Sequence, residues 1–119
     1  MDLLLPEHRT RLLRNGRFNA FRRARGEFEI DFKPVVKLFC PWGGGTWLLS
    51  ELDAEDPDIA FGLCDLGFGF PELGSVSLSE IEAVTGPGGL GIERDLHFIA
   101  AKSLHAYAEE ARVHQRIIC

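Results

Sequence analysis

The chain has one methionine, one tyrosine and three cysteines in 119 residues, and what is scarce or missing narrows its chemistry first. No uninterrupted apolar run approaches the ~20 residues that a membrane-spanning helix needs. Leu3-Leu4-Leu5 is too short for the core of a secretory signal, and Asp2 stands where such a signal carries positive charge. A cytoplasmic protein is therefore expected. Cys40, Cys64 and Cys119 are odd in number and form no CxxC pair, so free thiols are expected rather than a disulfide framework. His8, His97, His105 and His114 are scattered with no convergent pair of the kind a zinc site needs. Gly43-Gly44-Gly45 is followed by neither the lysine nor the helix of a phosphate loop and reads as a hairpin turn. The carboxylates from Glu51 to Asp58 lack the glycine and closing glutamate of a calcium loop and read as a solvated turn. No internal repeat is present, and no cofactor is implied.

What is present suits a single domain, 1–119, with enough chain to bury a core. Charge is unevenly placed. Residues 1–37 hold nine bases against five acids, and residues 38–119 hold four against thirteen. Such a split suits either a partner-binding arm or two segments that attract each other.

The organising stretch is 34–77, read as four short strands joined by turns: Val35–Phe39, Thr46–Leu52, Ile59–Leu66 and Glu72–Val76. Their β-branched and aromatic content and short connections predict an antiparallel meander. Small Ala60 and Gly62 predict a close approach of something bulky, a helix or Trp47. Ahead of the strands, Pro6 opens a helix predicted over 6–14 and stopped by Asn15-Gly16. Residues 17–33 form an Arg/Phe-rich lead-in. There Phe28, Ile30 and Phe32 alternate with charged residues, as in a strand or an extended linker. Beyond the meander, Ser77 and Glu80 form a capping box for a short helix. Residues 92–99 read as a final extended segment. Ser103 caps a last helix bearing the stripe Leu104, Tyr107, Ala108, Ala111, and the tail after it is expected to fray. The predicted fold class is α+β: an antiparallel meander of four to six strands, with N-terminal, middle and C-terminal helices covering one face. The sheet core spans 34–99, and the last helix and tail span 100–119.

Several of these pieces occur together: PVVKLFCP, TWLLSELD, IAFGL, ELGSVSLSEIEAV and above all GLGIERDLHF. They resemble a family of short bacterial proteins of unknown function found on plasmids and integrative or conjugative elements. The resemblance covers about residues 3–104. It implies a cytoplasmic accessory protein of mobile DNA and carries no established activity. The lead-in at 17–33 is longer than the usual linker, and the chain after Ala106 runs past the usual end.

Three groups of residues bear candidate chemistry. Glu93, Asp95 and His97 share one face of a strand with Arg94 opposite. Asp95 and His97 are thus candidates for acid–base work, and Arg94 alternatively anchors the strand to Glu51 or Asp65. Arg17, Phe21, Arg22, Arg23 and Arg25 pair cations with aromatic faces, as single-stranded nucleic acid requires; the same residues suit a basic stripe folded on the protein's own acids. Glu51 and Asp53 share a strand face and are weak candidates for a metal. A nucleophile at Cys40 or Cys64 lacks an identifiable base. Trp42, Trp47, Glu51 and Arg94 are the candidate binding residues. The leading expectation is a non-enzymatic module whose partner is another protein, contacted through edge strands and an exposed Trp42 turn. Nucleic acid through the Arg/Phe segment is the alternative, and a metal-dependent enzyme the second.

Overall fold

The hub is the run Thr46–Leu52, which forms β2 with neighbours on both sides. The computed structural model describes residues 3–119; Asp2, used above, lies outside the described residues. Around β2 stand β1 (Val36–Phe39), β3 (Ile59–Asp65), β4 (Glu72–Ser77) and the two-residue β5 (Glu93–Arg94), in the order β4-β3-β2-β1-β5. Every pairing is antiparallel. The meander expected between 34 and 77 is present, and its strand boundaries agree to within a residue or two.

One irregularity decides what the sheet presents. Leu49 pairs with Gly62 and Glu51 with Phe61, so Ser50 is the extra residue of a bulge. Side chains on a regular strand alternate between faces, and one inserted residue reverses the alternation beyond it. Without the bulge, Glu51 would follow Trp47 and Leu49 into the core. With it, Leu52 joins Leu49 in one apolar cluster, and Glu51 takes the face of Leu48, opposite Phe61. Gly62 lies hard against the bulged strand: a Cβ there would lie 2.1 Å from the Leu48 carbonyl oxygen. The close approach expected at this glycine is therefore made by the neighbouring strand rather than by a helix or Trp47.

Three α-helices cover the sheet: α1 (Pro6–Ala24), α2 (Leu78–Glu82) and α3 (Leu104–His114). They do not share one face, as expected above. Leu12 of α1 and Leu78 and Ile81 of α2 join Val36, Leu38, Leu49 and Leu52 in one cluster. Leu104, Tyr107 and Ala111 of α3 join Leu48 and Leu63 in another. The reason is that β2 and β3 are apolar on both sides, so each side requires a cover. Ser77 and Ser103 accept hydrogen bonds from the amides of Glu80 and Ala106, starting α2 and α3; at α2 this is the serine half of the expected capping box.

The first helix does not stop at Asn15-Gly16; it continues to Ala24. β1 begins opposite Leu49, leaving the end of β2 without a strand on that side. There α1 takes the strand's place. The buried Asn15 Nδ2 donates to the Ser50 carbonyl at 3.0 Å. A Cβ on Gly16 would lie 1.7 Å from the Leu52 carbonyl oxygen. Asn-Gly, a stop signal in isolation, is here the contact that lets a helix backbone touch a strand backbone.

Residues 25–35 carry no strand. Their alternating pattern belongs to an extended linker, with Phe28 93% exposed. Asn19 fixes the linker from both sides: its Nδ2 donates to the Ile30 carbonyl and its Oδ1 accepts the Ile30 amide. At the far end Asp31 accepts from the His105 amide, and the Phe32 carbonyl accepts from the Leu104 amide. The tail is likewise tied down rather than frayed. Gln115 turns left-handed at φ 58°, and the Ile117 amide then donates to Asp65 Oδ2 at 3.1 Å.

Candidate functional site

Between the C-terminal half of α1, the linker and the bulged end of β2 lies a cavity of about 280 Å³. Its floor is a row running across three strands, Glu51, Phe61 and Ser75. Its walls include Gly16, Arg23, Glu29 and Asp53. Glu51 sits there because the bulge turns it out of the core. Its Oε2 accepts from Asn19 Nδ2 at 2.9 Å. Burial pushes the Glu51 carboxyl above its ordinary value, and the nearby Glu29 adds to the rise against the opposing bond from Asn19. At the rim Arg23 Nη1 donates to Glu29 Oε1 at 2.7 Å. Three carboxylates thus face one guanidinium around an aromatic floor. A small cationic group is the ligand chemistry such a lining favours.

Asp53 does not join Glu51 on a strand face. β2 ends at Leu52, and Asp53 Oδ1 accepts from the amides of Glu55 and Asp56 at 2.8 and 3.0 Å. Those bonds hold its carboxyl below the usual range. Farther along the same turn, Asp58 accepts from the hydroxyls of Ser77 and Ser79 and from the Ser79 amide. The acidic stretch is thus divided between closing its own turn and starting α2. Among the described residues no three His, Cys, Asp or Glu side chains group as a metal site would require.

The Glu93–His97 run leaves the sheet after Arg94, so its acidic residues and imidazole do not share a strand face. Asp95 Oδ1 accepts the His97 amide at 2.8 Å, and its other oxygen lies 3.5 Å from Lys37 Nζ. The Asp95–His97 bond therefore runs through the His97 backbone amide. That bond is also the main reason the Asp95 carboxyl lies below its ordinary value. Arg94 Nη1 donates to the Leu3 carbonyl at 2.8 Å, tying the N-terminal segment to the sheet edge; Glu51 and Asp65 are engaged elsewhere. Asp95 and His97 do border a second, more open cavity of about 430 Å³, together with Lys37, Lys102 and Tyr107.

Of the Arg/Phe residues, Arg22, Arg23 and Arg25 are paired with Glu27 or Glu29. Arg22 and Arg25 also lie over the Phe18 and Phe21 rings at 5.9 and 5.3 Å. Arg17 is exposed and makes no ion pair among the described residues. The basic stripe thus meets the carboxylates of its own linker. Trp47 is core, at 8% exposure. Trp42 is not an exposed turn residue. It is half-buried, and its indole lies so close to Gly86 that a Cβ there would fall 2.4 Å from it. Burial pushes the Cys64 thiol up to about 11, which keeps it protonated and a poor nucleophile.

Sequence reasoning missed Asn19, Phe61, Ser75 and Glu29 as partners of Glu51. The signal for Asn19 was its spacing: Asn15 and Asn19 lie one helical turn apart on the face that buries Leu12. The row to Ser75 depended on the bulge and carried no local signal.

These features define a small α+β protein with helices on both sheet faces and a polar cleft beside a strand bulge. Residues 3–118 match the family described as Protein of unknown function (DUF2958), and the chain belongs to that family. The match continues through the last helix and the tail, so the chain after Ala106 is no addition peculiar to this protein. Comparison with curated proteins and with solved structures finds no match.

Proposed function

We propose that the protein is a non-enzymatic accessory module of mobile-element type that acts through protein contacts, accepting an extended segment of its partner along β4. The carrying observation is the state of that edge. β4 is six residues long and, among the described residues, pairs only with β3. Natural edge strands are usually blunted by lysine, proline or a covering element. ELGSVS has neither lysine nor proline, and Glu72, Leu73 and Ser75 are exposed. Leading into it, the β3–β4 turn holds out Leu66, Phe68 and Phe70 at 59, 79 and 77% exposure. An open edge beside an apolar tip suits strand addition, where backbone bonds give affinity and side-chain pockets give selectivity.

The test is a display library of extended peptides selected on the immobilised protein. Recovered peptides should shift the backbone amide resonances of Glu72–Ser77 and bind at least tenfold more weakly to the Phe68→Ser/Phe70→Ser double variant. These two side chains are too exposed for their loss to unfold the chain. Failure to recover peptides, or recovery of peptides that leave β4 unshifted, would overturn the reading. Nucleic-acid binding through Arg17 and Phe21 is the competitor. It requires a labelled single-stranded oligonucleotide to bind at low salt and to be released steeply as salt rises.

A further inference from the structure

The cleft at the bulge and the open edge belong to the same face of the sheet. Glu51, Phe61 and Ser75 are successive cross-strand neighbours, so the row that floors the cleft ends on β4. A segment paired to β4 would extend that row by one more side chain. Adjacent strands lie about 4.8 Å apart, so a residue beside Ser75 stands about 10 Å from Phe61. Only a long side chain can lay its head over that ring. The charge there is uneven: Glu29, Glu51 and Asp53 line the space with Arg23, which Glu29 already engages.

Building on the strand-addition reading, we infer that the partner segment carries a lysine or arginine opposite Ser75, whose cationic head enters this cleft over Phe61 toward Glu51. A neutral side chain of equal length would cover Phe61 but leave the half-buried Glu51 carboxylate with its bond from Asn19 and the charge of an Arg23 that Glu29 already engages. An acidic one would be repelled. Lysine and arginine share the required chemistry, since both combine a long apolar stem with a charged tip that aromatic faces attract.

The same display library tests this with two baits, the wild-type chain and Glu51→Gln. The glutamine keeps an oxygen for Asn19 Nδ2, so the variant retains its local bond. Peptides from the wild-type bait should be enriched in Lys or Arg at one fixed position. Replacing that residue by norleucine should weaken binding at least tenfold on wild type and less than threefold on Glu51→Gln. Peptides that shift the β4 amides without basic enrichment, or with equal loss on both baits, would overturn the inference and leave strand addition standing. If no selected peptide shifts β4, strand addition falls and the inference falls with it.

Discussion

The two faces of the sheet are closed to different degrees. On one, α1 and α2 seal a continuous cluster that includes Leu12, Val36, Leu38, Leu49, Leu52, Leu78 and Ile81. On the other, α3 covers a smaller cluster around Leu48 and Leu63, and the polar side chains Glu51, Ser75 and Lys37 stand on the same face beside Phe61 and Leu73. Both the bulge cleft and the opening beside Asp95 lie on this second side. The difference separates tasks. A face filled with leucine gives stability and no selectivity, whereas a face interrupted by charge contributes less to folding and leaves groups available to a partner.

The largest effect that can break this contrast is a core deletion. Leu49→Ala removes a fully buried side chain from the sealed face and should cost about 2–5 kcal/mol in a denaturant titration. Leu73→Ala, at a 36% exposed position on the other face, should cost about 1 kcal/mol or less. Equal losses would mean that the two faces are not divided as described.

Next come substitutions where local rules and tertiary contact disagree. Glycine to alanine inside a helix ordinarily gains about 1 kcal/mol. Gly16→Ala should instead lose about 1–3 kcal/mol, because the new methyl meets the Leu52 carbonyl. A neutral or improved melting temperature would show that α1 can lift from the end of β2. Asp65→Ala is comparable. Asp65 is buried and accepts from the Gly67 and Ile117 amides, so its loss leaves two donors poorly satisfied, at about 1–3 kcal/mol. Hydrogen exchange at the Ile117 amide should quicken in this variant. An unchanged rate would return the tail to the frayed state its composition suggested.

These disagreements mark where the sequence was legible and where it was not. The strands of the meander, the Ser77 and Ser103 caps and the buried stripe of α3 were readable because each depends on neighbours a few residues away. Asn15-Gly16 misled because its local preference for a turn is overridden by a strand end that no local window contains. Phe28 and Ile30 alternate like a buried strand, yet they lie in a linker whose position is set by Asn19. Glu51 stands out in the sequence by its charge, but its setting follows from a one-residue bulge that reverses which side of β2 it faces. Trp42 and Trp47 stand out as large aromatics flanking a turn. Both instead pack inward, Trp47 in the core and Trp42 against Gly86, a position 44 residues away in the sequence.

The smallest effect is also the most direct probe of the open face. Burial and Glu29 raise the Glu51 carboxyl above its ordinary value, so the folded state holds this proton more tightly than the unfolded chain does. Stability from that difference is fully present below the unfolded value and is lost as pH rises through the folded one. At neutral pH the ionised carboxylate therefore opposes folding, and Glu51→Gln should melt slightly higher than wild type. As pH falls into the carboxylate range, wild type becomes protonated at Glu51 and the gap should close. Asp31, Asp53, Asp58 and Asp95 are shifted downward and destabilise both proteins as the solution is acidified. Being common to the pair, they largely cancel in the difference. Paired melting curves between neutral and acidic pH measure it. A gap that stays constant would mean that solvent reaches Glu51 freely, and the cleft would then lose the desolvated carboxylate on which its preference for a cationic side chain depends.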